Sequence, residues 1–292
     1  MNDTDNSNFK SISPSAMSLL ETRSYTSIPF AKESLEIISP ATSNELKEAE
    51  QLPEAVILRI MHFETRYRSI DKGLKELGNN NILEFSSGFS FRGLDFCKNS
   101  SVHYIDTDLP NIIEIKKNIV FELTKRYCDY QPSNLKLLAM NALNEEEFFN
   151  TIAMLGSGPV SIVNEGLLMY FNEEQKEKIM GIIHKILTQY GGYWITTDIY
   201  RKGEIEGRNI DKFYKQKGKE FLEKHNVEDN KFPSFEKAEE FFLKNGFEIY
   251  KKIEIEKKEL SSSKLFHQNT TLSNLNLQGK QKSRETWILK PL

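Results

Sequence analysis

Strand-like and helix-like segments alternate along most of this chain, and that alternation restricts the folds it can adopt. Apolar runs such as NILEFS, SVHYIDTD and PVSIVNEG are each followed by a stretch with apolar residues at helical spacing. Strands separated by helices of this length indicate βαβ crossovers, which connect parallel strands. The pattern therefore predicts an α/β fold with a mainly parallel sheet that is covered on both faces.

The end of the chain departs from this alternation. Seven segments have the character of strands, and the last two, FEIYKKIEIEKKEL and ETWILKPL, have no helix between them. This arrangement predicts a Rossmann-like, doubly wound, seven-stranded sheet that ends in an antiparallel C-terminal hairpin. Ligands of such sheets bind beyond the carboxyl ends of the strands, near the point where the strand order reverses. The residues that directly follow each strand are therefore the candidate site.

The chain divides into a polar tail, a short N-terminal segment and one large domain. Residues 1–15 are rich in Asn, Asp, Ser and Thr, which predicts disorder. Residues 16–51 contain short amphipathic pieces that are too small for a separate domain, so we expect a helical lid. Residues 52–292 form the α/β domain, and a charged insertion at about 201–235 interrupts its alternation. Because inserted segments commonly set specificity, we expect this insertion to cover the acceptor pocket.

Composition and charge exclude several classes of protein. A net charge of -3 argues against a general nucleic-acid binder. The chain has no run of about 18 apolar residues that would span a membrane, and its polar N-terminus is unlike a secretory signal. Cys97 and Cys128 are expected to be free thiols rather than a disulfide, and no His or Cys spacing indicates a metal site. These features predict a cytoplasmic protein that binds no metal, membrane or nucleic acid.

The turn after the first strand contains a single glycine. In EFSSGFS, Gly88 follows Glu84, Ser86 and Ser87, and a glycine there lets a ligand approach the backbone without a Cβ in the way. A dinucleotide-binding turn has three glycines, so a pyrophosphate is not the expected ligand. The alternative is that this segment is only a tight turn between a strand and a helix.

Acidic and amide side chains follow the second and third strands. Asp106 and Asp108 lie roughly twenty residues beyond the glycine turn, where an acid can accept hydrogen bonds from ribose hydroxyls. Both compete for this role because residues two apart share a face of a strand, and we favour Asp108, which is nearer the strand tip. A helix N-cap before Pro110 is the alternative. Asn141, after the third strand, can pair with an adenine edge or cap the next helix.

One carboxylate comes directly after an apolar strand in the middle of the pattern. Glu165 follows PVSIVN, where burial of its charge is costly unless a cation lies beside it. That cation is either part of a ligand or an arginine of the preceding helix. Arg66 and Arg68, in the helix before the first strand, and Lys32, in the N-terminal segment, are candidates to bind a ligand carboxylate. A solvent-exposed helix face is the alternative for each of these three.

Four stretches of the chain together resemble one known family. They are HFETRYRSIDKGL, ILEFSSGFSFRGL, YIDTDLP and VNEGLLMYF, in the order and at about the spacing seen in the leucine carboxyl methyltransferase family. That family includes bacterial polyketide-type O-methyltransferases and enzymes that methylate the C-terminal leucine of a protein. The resemblance covers roughly residues 55–200 and is looser elsewhere.

The resemblance implies a Rossmann-like methyltransferase sheet that binds S-adenosylmethionine. It assigns Gly88 to the methionine moiety, Asp108 to the ribose, Asn141 to the adenine, Glu165 to the amino group and Arg66 to the carboxylate. Lys32 and Glu84 complete the set of predicted cofactor-binding residues. This chain has Ser86 where the family turn often begins with glycine, and Asn141 where an aspartate is common. Because a sulfonium cofactor has no pyrophosphate, a turn with one glycine suits it.

These features predict an S-adenosylmethionine-dependent O-methyltransferase. Its expected substrate is a carboxylate or hydroxyl of a small molecule, a natural product or a peptide terminus, methylated by in-line transfer. A carboxylate is ionised at neutral pH and needs no general base, so catalysis would rest on alignment and desolvation. A hydroxyl would need a base, and no residue of the sequence is an obvious one.

Two other functions fit parts of the pattern. A nicotinamide-dependent dehydrogenase shares the sheet, but the single glycine and the lack of a Tyr-x-x-x-Lys spacing near the fifth strand disfavour it. A methyltransferase fold kept as a non-catalytic binding or partner protein is the second alternative. Binding of S-adenosylmethionine, of NADH or of neither distinguishes the three.

Overall fold

The strands form a seven-stranded sheet in a computed structural model that describes residues 13–48, 51–203, 223–268 and 282–292. The strand bounds are β1 Asn81–Phe85, β2 His103–Asp108, β3 Leu135–Ala139, β4 Val160–Asn164, β5 Gly192–Tyr200, β6 Phe247–Ile253 and β7 Arg284–Pro291.

The strand order of the sheet is β3-β2-β1-β4-β5-β7-β6. The first five strands pair in parallel, whereas β7 runs antiparallel to both β5 and β6. The predicted doubly wound sheet with an antiparallel C-terminal hairpin is confirmed, and its last strand lies between β5 and β6. The order reverses between β1 and β4, which places the ligand crevice of such a sheet at the carboxyl ends of these two strands.

Helices connect the strands at the predicted positions. Gly78, with φ 66°, ends the helix before β1, and Gly191, with φ 71°, ends the helix before β5. Pro110 begins the helix after β2. The helix bounds are α1 Ser13–Arg23, α2 Ala31–Ile38, α3 Pro40–Asn44, α4 Glu54–Leu77, α5 Arg92–Phe96, α6 Pro110–Tyr127, α7 Glu145–Ile152, α8 Glu173–Tyr190, α9 Phe235–Lys244 and α10 Ser263–Gln268, with 3-10 turns at Leu168–Tyr170 and Lys257–Glu259.

Apolar side chains form a core on each face of the sheet. On one face, Trp194 and Trp287 pack on Phe242 of α9, at ring-centroid distances of 5.5 and 5.6 Å. On the other face, Ile195 packs with Ile70 of α4. The strand β4 is buried along its whole length, as expected of a central parallel strand that is covered on both faces.

The N-terminal helices share a core with the α/β domain. Leu20 of α1 and Leu35 of α2 belong to one apolar cluster with Tyr67 of α4 and Leu123 of α6. The segment predicted as a lid therefore packs against the helices next to the site, and its action as a lid stays a prediction. Of the predicted disordered tail, residues 1–12 lie outside the described residues, and the remaining three begin α1.

Part of the predicted insertion is described. Residues 204–222 lie outside the described residues, and the chain after them returns to the end of β5. There the Phe232 N–H donates to the Tyr200 carbonyl at 2.9 Å, and the Lys202 N–H donates to the Phe232 carbonyl at 2.7 Å. The insertion therefore begins and ends at the carboxyl edge of the sheet.

Both cysteines are free thiols, as predicted. Cys97 is buried, which raises its pKa to about 12, and Cys128 is half-buried. Within the described part of the chain, none of the helices combines the length and the apolar character needed to cross a membrane.

Candidate functional site

The polar residues predicted for the site follow strands that lie side by side. The strand β1 pairs with β2 through Glu84 and Asp106, and with β4 through Phe85 and Asn164. Because these strands are parallel, the glycine turn, Asp108 and Glu165 all come to the same edge of the sheet. The strand order reverses at this edge, between β1 and β4.

The turn after β1 is fixed to the end of β2. The Gly88 N–H donates to Asp108 Oδ2 at 2.7 Å, and the Ser87 N–H donates to the Thr107 carbonyl at 3.0 Å. Ser86 and Gly88 both have φ 52°, in the left-handed region that glycine adopts without strain. The backbone geometry therefore explains why a glycine would suit position 86 as well as position 88.

The two aspartates of β2 have different surroundings. Asp106 is 1% exposed, accepts a hydrogen bond from the Ser87 hydroxyl and lies 2.6 Å from Lys116 Nζ. Burial raises the pKa of Asp106 to about 6, although Lys116 acts in the opposite direction. Asp108 is half-buried and accepts the Leu109 N–H at 2.7 Å in addition to that of Gly88. A carboxylate has about four acceptor positions, so Asp108 keeps capacity for ligand hydroxyls.

Glu165 lies at the end of β4 among three arginines. Oε1 accepts hydrogen bonds from Arg23 of α1 and, at 2.9 Å, from Arg66 Nε of α4. Oε2 accepts a hydrogen bond from Arg92 Nη2 of α5 at 3.0 Å. Burial alone would raise the pKa of Glu165, but the three guanidinium groups hold that pKa well below its usual range. Arg66 and Glu165 are thus brought together, and they pair directly.

Glu84 belongs to the same network but lies deeper than the other predicted residues. It is fully buried, forms an ion pair with Arg92 and accepts the Tyr104 hydroxyl at 2.6 Å. Arg92 also donates to Asp71 Oδ1 at 2.7 Å, and its guanidinium carbon lies 4.0 Å from the ring centroid of Tyr67. These contacts anchor α5, which follows the glycine turn, to α4 and β1.

Three buried polar atoms of this network have no hydrogen-bond partner among the described residues: Arg23 Nε, Arg66 Nη2 and Tyr67 Oη. An unsatisfied buried polar group costs about 1–3 kcal/mol, so each calls for a partner. Arg66 Nη2 faces Gly166, where an added Cβ would lie only 3.1 Å away. Gly166 therefore lets the backbone after β4 approach the guanidinium closely. The guanidinium carbon of Arg23 lies 5.1 Å from the ring centroid of Tyr67, and guanidinium N–H groups are well suited to bind a carboxylate.

Asp198 of β5 holds the turn that carries Glu165. It is buried and accepts the N–H groups of Gly166, Leu167 and Leu168 at 2.7, 2.7 and 3.0 Å. It also accepts the Asn164 side-chain amide at 2.7 Å. These four bonds fix the backbone at the end of β4.

Asn141 and Lys32 lie apart from this network, whereas Arg68 lies at its edge, 3.9 Å from Asp71 Oδ2. Asn141 is half-buried after β3, and its Oδ1 accepts the Leu143 N–H at 3.0 Å, while Asn144 caps the next helix. Lys32 is exposed on α2. Arg68 is partly exposed and donates to the Ser27 carbonyl at 2.8 Å.

The residues that sequence patterns missed reach the site from distant parts of the chain. They are Arg23, Arg92 and Asp198, together with His62 and Tyr200, whose Nε2 and Oη atoms lie 3.0 Å apart. Two of them carried a local signal, because Arg92 lies within the motif ILEFSSGFSFRGL and His62 begins the motif HFETRYRSIDKGL.

Comparisons with known proteins give matches among solved structures alone. No family model and no curated protein matches the chain. The methyltransferase domain of bacterial CtHen1 is 12% identical, with a TM-score of 0.48 over 78% of this chain and 98% of that domain. Magnesium protoporphyrin IX methyltransferase (ChlM) from Synechocystis PCC 6803 with bound SAH is 11% identical, with a TM-score of 0.47 over 82% of this chain and 89% of that protein.

A third similar structure belongs to a longer protein. LepI in complex with SAH and a substrate analogue is 10% identical, with a TM-score of 0.44. The alignment covers 73% of this chain but only 43% of LepI, so the chain spans less than half the length of that protein. Because these similarities are low, we base the fold on the strand order and pairing of the sheet itself.

Proposed function

We propose that this chain is an S-adenosylmethionine-dependent O-methyltransferase. The observation that carries the proposal is a set of buried donors that have no partner in the described part of the chain, Arg23 Nε, Arg66 Nη2 and Tyr67 Oη, at the carboxyl edge of a doubly wound sheet. A ligand carboxylate would satisfy these donors. S-adenosylmethionine, the cofactor that the family resemblance of the sequence implies, has such a carboxylate.

The two ends of the proposed cofactor site have the chemistry that the cofactor needs. Asp108, on β2, has acceptor capacity for two ribose hydroxyls, and the arginine network lies beyond β4. These strands flank β1, so their tips lie two strand spacings apart, about 10 Å. Gly88 lies between them and allows close approach to the backbone. A molecule with a ribose at one end and an amino acid at the other bridges this edge.

The cofactor supplies a sulfonium methyl group, and the protein positions it. Arg66 and Arg23 would bind the cofactor carboxylate, and Asp108 would fix the ribose. Glu165 would keep the arginines in place as well as lie near the cofactor amino group. Holding two reactants in alignment can supply about 7–11 kcal/mol of the barrier reduction. In this proposal the acceptor is a carboxylate or a hydroxyl of a small molecule, a natural product or a peptide terminus.

Isothermal titration calorimetry of the full chain tests the cofactor. We expect binding of S-adenosylmethionine and of its demethylated product, and no binding of NADH. Arg66→Lys should weaken binding by about 1.5–3 kcal/mol, because a point charge does not replace a bidentate fork. Arg68→Lys, two residues along the same helix, is the matched control and should leave the affinity unchanged.

Three outcomes would contradict the proposal. Binding of NADH alone would indicate a dehydrogenase, and binding of neither compound would indicate a fold kept as a partner protein. Equal affinities of the wild type and Arg66→Lys for S-adenosylmethionine would show that the arginine network does not bind the cofactor. Release of demethylated product in the presence of an acceptor separates an enzyme from a cofactor-binding protein without activity.

A further inference from the structure

A line of hydrogen-bonded side chains extends from the arginine network to the end of β5. Tyr200 Oη receives a hydrogen bond from Arg66 Nη1 at 3.4 Å and lies 3.0 Å from His62 Nε2. Tyr200 is 5% exposed, and His62 is half-buried one helical turn before Arg66 on α4. Arg66 N–H can only donate to Tyr200 Oη, and the phenol O–H is a suitable donor to His62 Nε2 when that nitrogen carries no proton.

This line lies on the side of the site opposite the ribose. Along the carboxyl edge, the sheet order is β2, β1, β4 and then β5. In the proposed function Asp108 of β2 holds the ribose and the arginines beyond β4 hold the amino acid. The group that receives the methyl must approach away from the ribose, which directs it toward β4 and β5. Tyr200 is the last residue of β5.

The insertion that we expect to cover the acceptor pocket also reaches Tyr200. The described end of the insertion pairs with it through the Phe232 N–H and the Tyr200 carbonyl at 2.9 Å. The ring of Phe63 packs edge-on against His62, with centroids 5.1 Å apart. The Tyr200–His62 pair thus lies where the described end of the insertion meets β5.

We propose that Tyr200 and His62 accept the proton of a hydroxyl acceptor, so that the substrate is a phenol or alcohol rather than a carboxylate. This inference rests on the proposed function. The acceptor oxygen forms a bond to the methyl carbon while the carbon–sulfur bond breaks and its electron pair stays on sulfur. The hydroxyl proton moves to Tyr200 Oη, whose own proton moves to His62 Nε2. The imidazolium then releases that proton to solvent.

Tyr200 and His62 together can accept a proton, which a hydroxyl acceptor must lose and a carboxylate acceptor does not carry. A carboxylate is already ionised at neutral pH and has no proton to lose, whereas a phenol has an ordinary pKa near 10. Histidine is the side chain whose ordinary pKa suits proton acceptance at neutral pH. The guanidinium of Arg66 beside Tyr200 Oη favours negative charge on that oxygen as its proton leaves. Among the described residues, Arg66 contacts Tyr200 and is itself influenced by Glu165 and Asp198, Arg284 of β7 pairs with Tyr200, and Arg59 lies over the ring of Phe63 next to His62.

Kinetics of two variants test the proposed proton transfer from the acceptor hydroxyl through Tyr200 to His62, which we call the relay. Tyr200→Phe and His62→Gln are each expected to lower kcat with phenol acceptors by about 100-fold, within the range for general-base catalysis. The kcat of the wild type should rise with pH, because His62 accepts a proton only in its neutral form. In His62→Gln this dependence of kcat on pH should vanish. Affinity for S-adenosylmethionine should stay within about twofold in His62→Gln, since His62 is not one of the carboxylate-binding donors, and it is measured separately in Tyr200→Phe, where Arg66 Nη1 loses a hydrogen-bond partner.

The matched control is His184→Gln. His184 is also half-buried against an aromatic ring, 5.6 Å from Phe247, but it lies beside the start of β6, at the opposite edge of the sheet. This variant should keep the wild-type kcat and pH profile. Equal losses in His184→Gln and His62→Gln would show a general effect on folding and would overturn the relay.

A binding probe reports the proton directly. In protein saturated with the demethylated cofactor product, 4-nitrophenol should bind and show phenolate absorbance at a pH below its own pKa. Tyr200→Phe should bind the probe in its neutral form. Failure of the wild type to bind the probe, or a neutral spectrum in the wild type, contradicts a hydroxyl-binding site at Tyr200.

The test separates this inference from the proposed function. If the protein binds no S-adenosylmethionine, the proposed function fails. If it binds the cofactor but methylates only carboxylates such as benzoate, at rates that Tyr200→Phe leaves unchanged, the proposed function stands and the relay fails.

Discussion

At the scale of single residues, backbone conformation explains a departure from the family pattern. Ser86 has φ 52°, in the left-handed region where an L side chain is disfavoured. We expect Ser86→Gly to stabilise the protein by about 0.5–1 kcal/mol, because the strain relieved exceeds the greater entropy of glycine in the unfolded chain. Urea unfolding of the two proteins measures the difference.

A serine in an ordinary turn conformation is the control for this change. Ser101 is exposed in a turn and does not have a positive φ. Ser101→Gly should therefore be neutral or slightly destabilising, since it gains only the entropic cost. If both glycine variants change stability by the same amount and sign, φ at position 86 carries no strain.

The two aspartates of β2 are expected to respond differently to substitution. Asp108→Ala should weaken S-adenosylmethionine binding by about 2–4 kcal/mol through the loss of two hydrogen bonds to a charged group. Asp106→Ala should mainly destabilise the protein, by about 3–5 kcal/mol, because it leaves the buried Lys116 unpaired. Calorimetry and thermal unfolding of both variants distinguish the two roles. If Asp106→Ala impairs binding in a protein of normal stability and Asp108→Ala does not, the ribose assignment is wrong.

At the scale of elements, the N-terminal segment supplies both packing and charge to the site. Leu20 and Leu35 pack against α4 and α6, and Arg23 donates to Glu165. Deletion of residues 1–15 removes at most the first turn of α1 and should leave cofactor affinity unchanged. Deletion of residues 1–40 removes both helices and should abolish binding. Full affinity in the longer deletion would place the segment outside the site.

A point variant shows whether the deletion of residues 1–40 acts by removing the charge of Arg23 or by removing packing contacts. Arg23→Gln keeps α1 in place but removes one of the three guanidinium groups around Glu165. If the charge matters, Arg23→Gln in the full chain reproduces part of the loss of affinity, by about 1.5–3 kcal/mol. If it binds the cofactor like the wild type, the truncation acts through packing alone.

Local patterns predicted the elements but not all the contacts between them. Hydrophobic periodicity, Gly78, Pro110 and Gly191 placed helices where the structure has them. By contrast, Arg23 and Glu165 lie 142 positions apart, and their ion pair depends on how α1 packs on the domain. No periodic pattern in either segment records such a contact, so the site could be located by the strand ends while the charged residues Arg23, Arg92 and Asp198 were missed.

At the scale of the whole molecule, the parallel sheet follows from the alternation of strands and helices, whereas the arginine network follows from the three-dimensional fold. Glu165 connects α1, α4 and α5 to the central strand β4 through its three arginines. This position makes one carboxylate important for the stability of several elements at once. The dependence of that stability on pH can be derived from the direction of its pKa shift.

The pKa of Glu165 is lowered in the folded protein from an ordinary value of 4.5. Folding therefore favours the ionised form, and the contribution to the free energy of unfolding is fully present above about pH 4.5. It is lost as the pH falls below that value toward the folded-state pKa. Glu165→Gln should lower the free energy of unfolding of the cofactor-free protein by about 3–5 kcal/mol at neutral pH, because three buried guanidinium groups lose their charged partner.

The difference in stability between wild type and Glu165→Gln should shrink as the pH is lowered below about 4.5. Urea unfolding of both proteins at a series of pH values measures it. Glu174→Gln, at an exposed position of α8, is the control and should match the wild type at every pH. Other acidic groups titrate equally in both proteins, so they cancel in the difference. A difference that stays constant into the acid range would mean that the arginines stabilise Glu165 by contact alone and do not act on its charge.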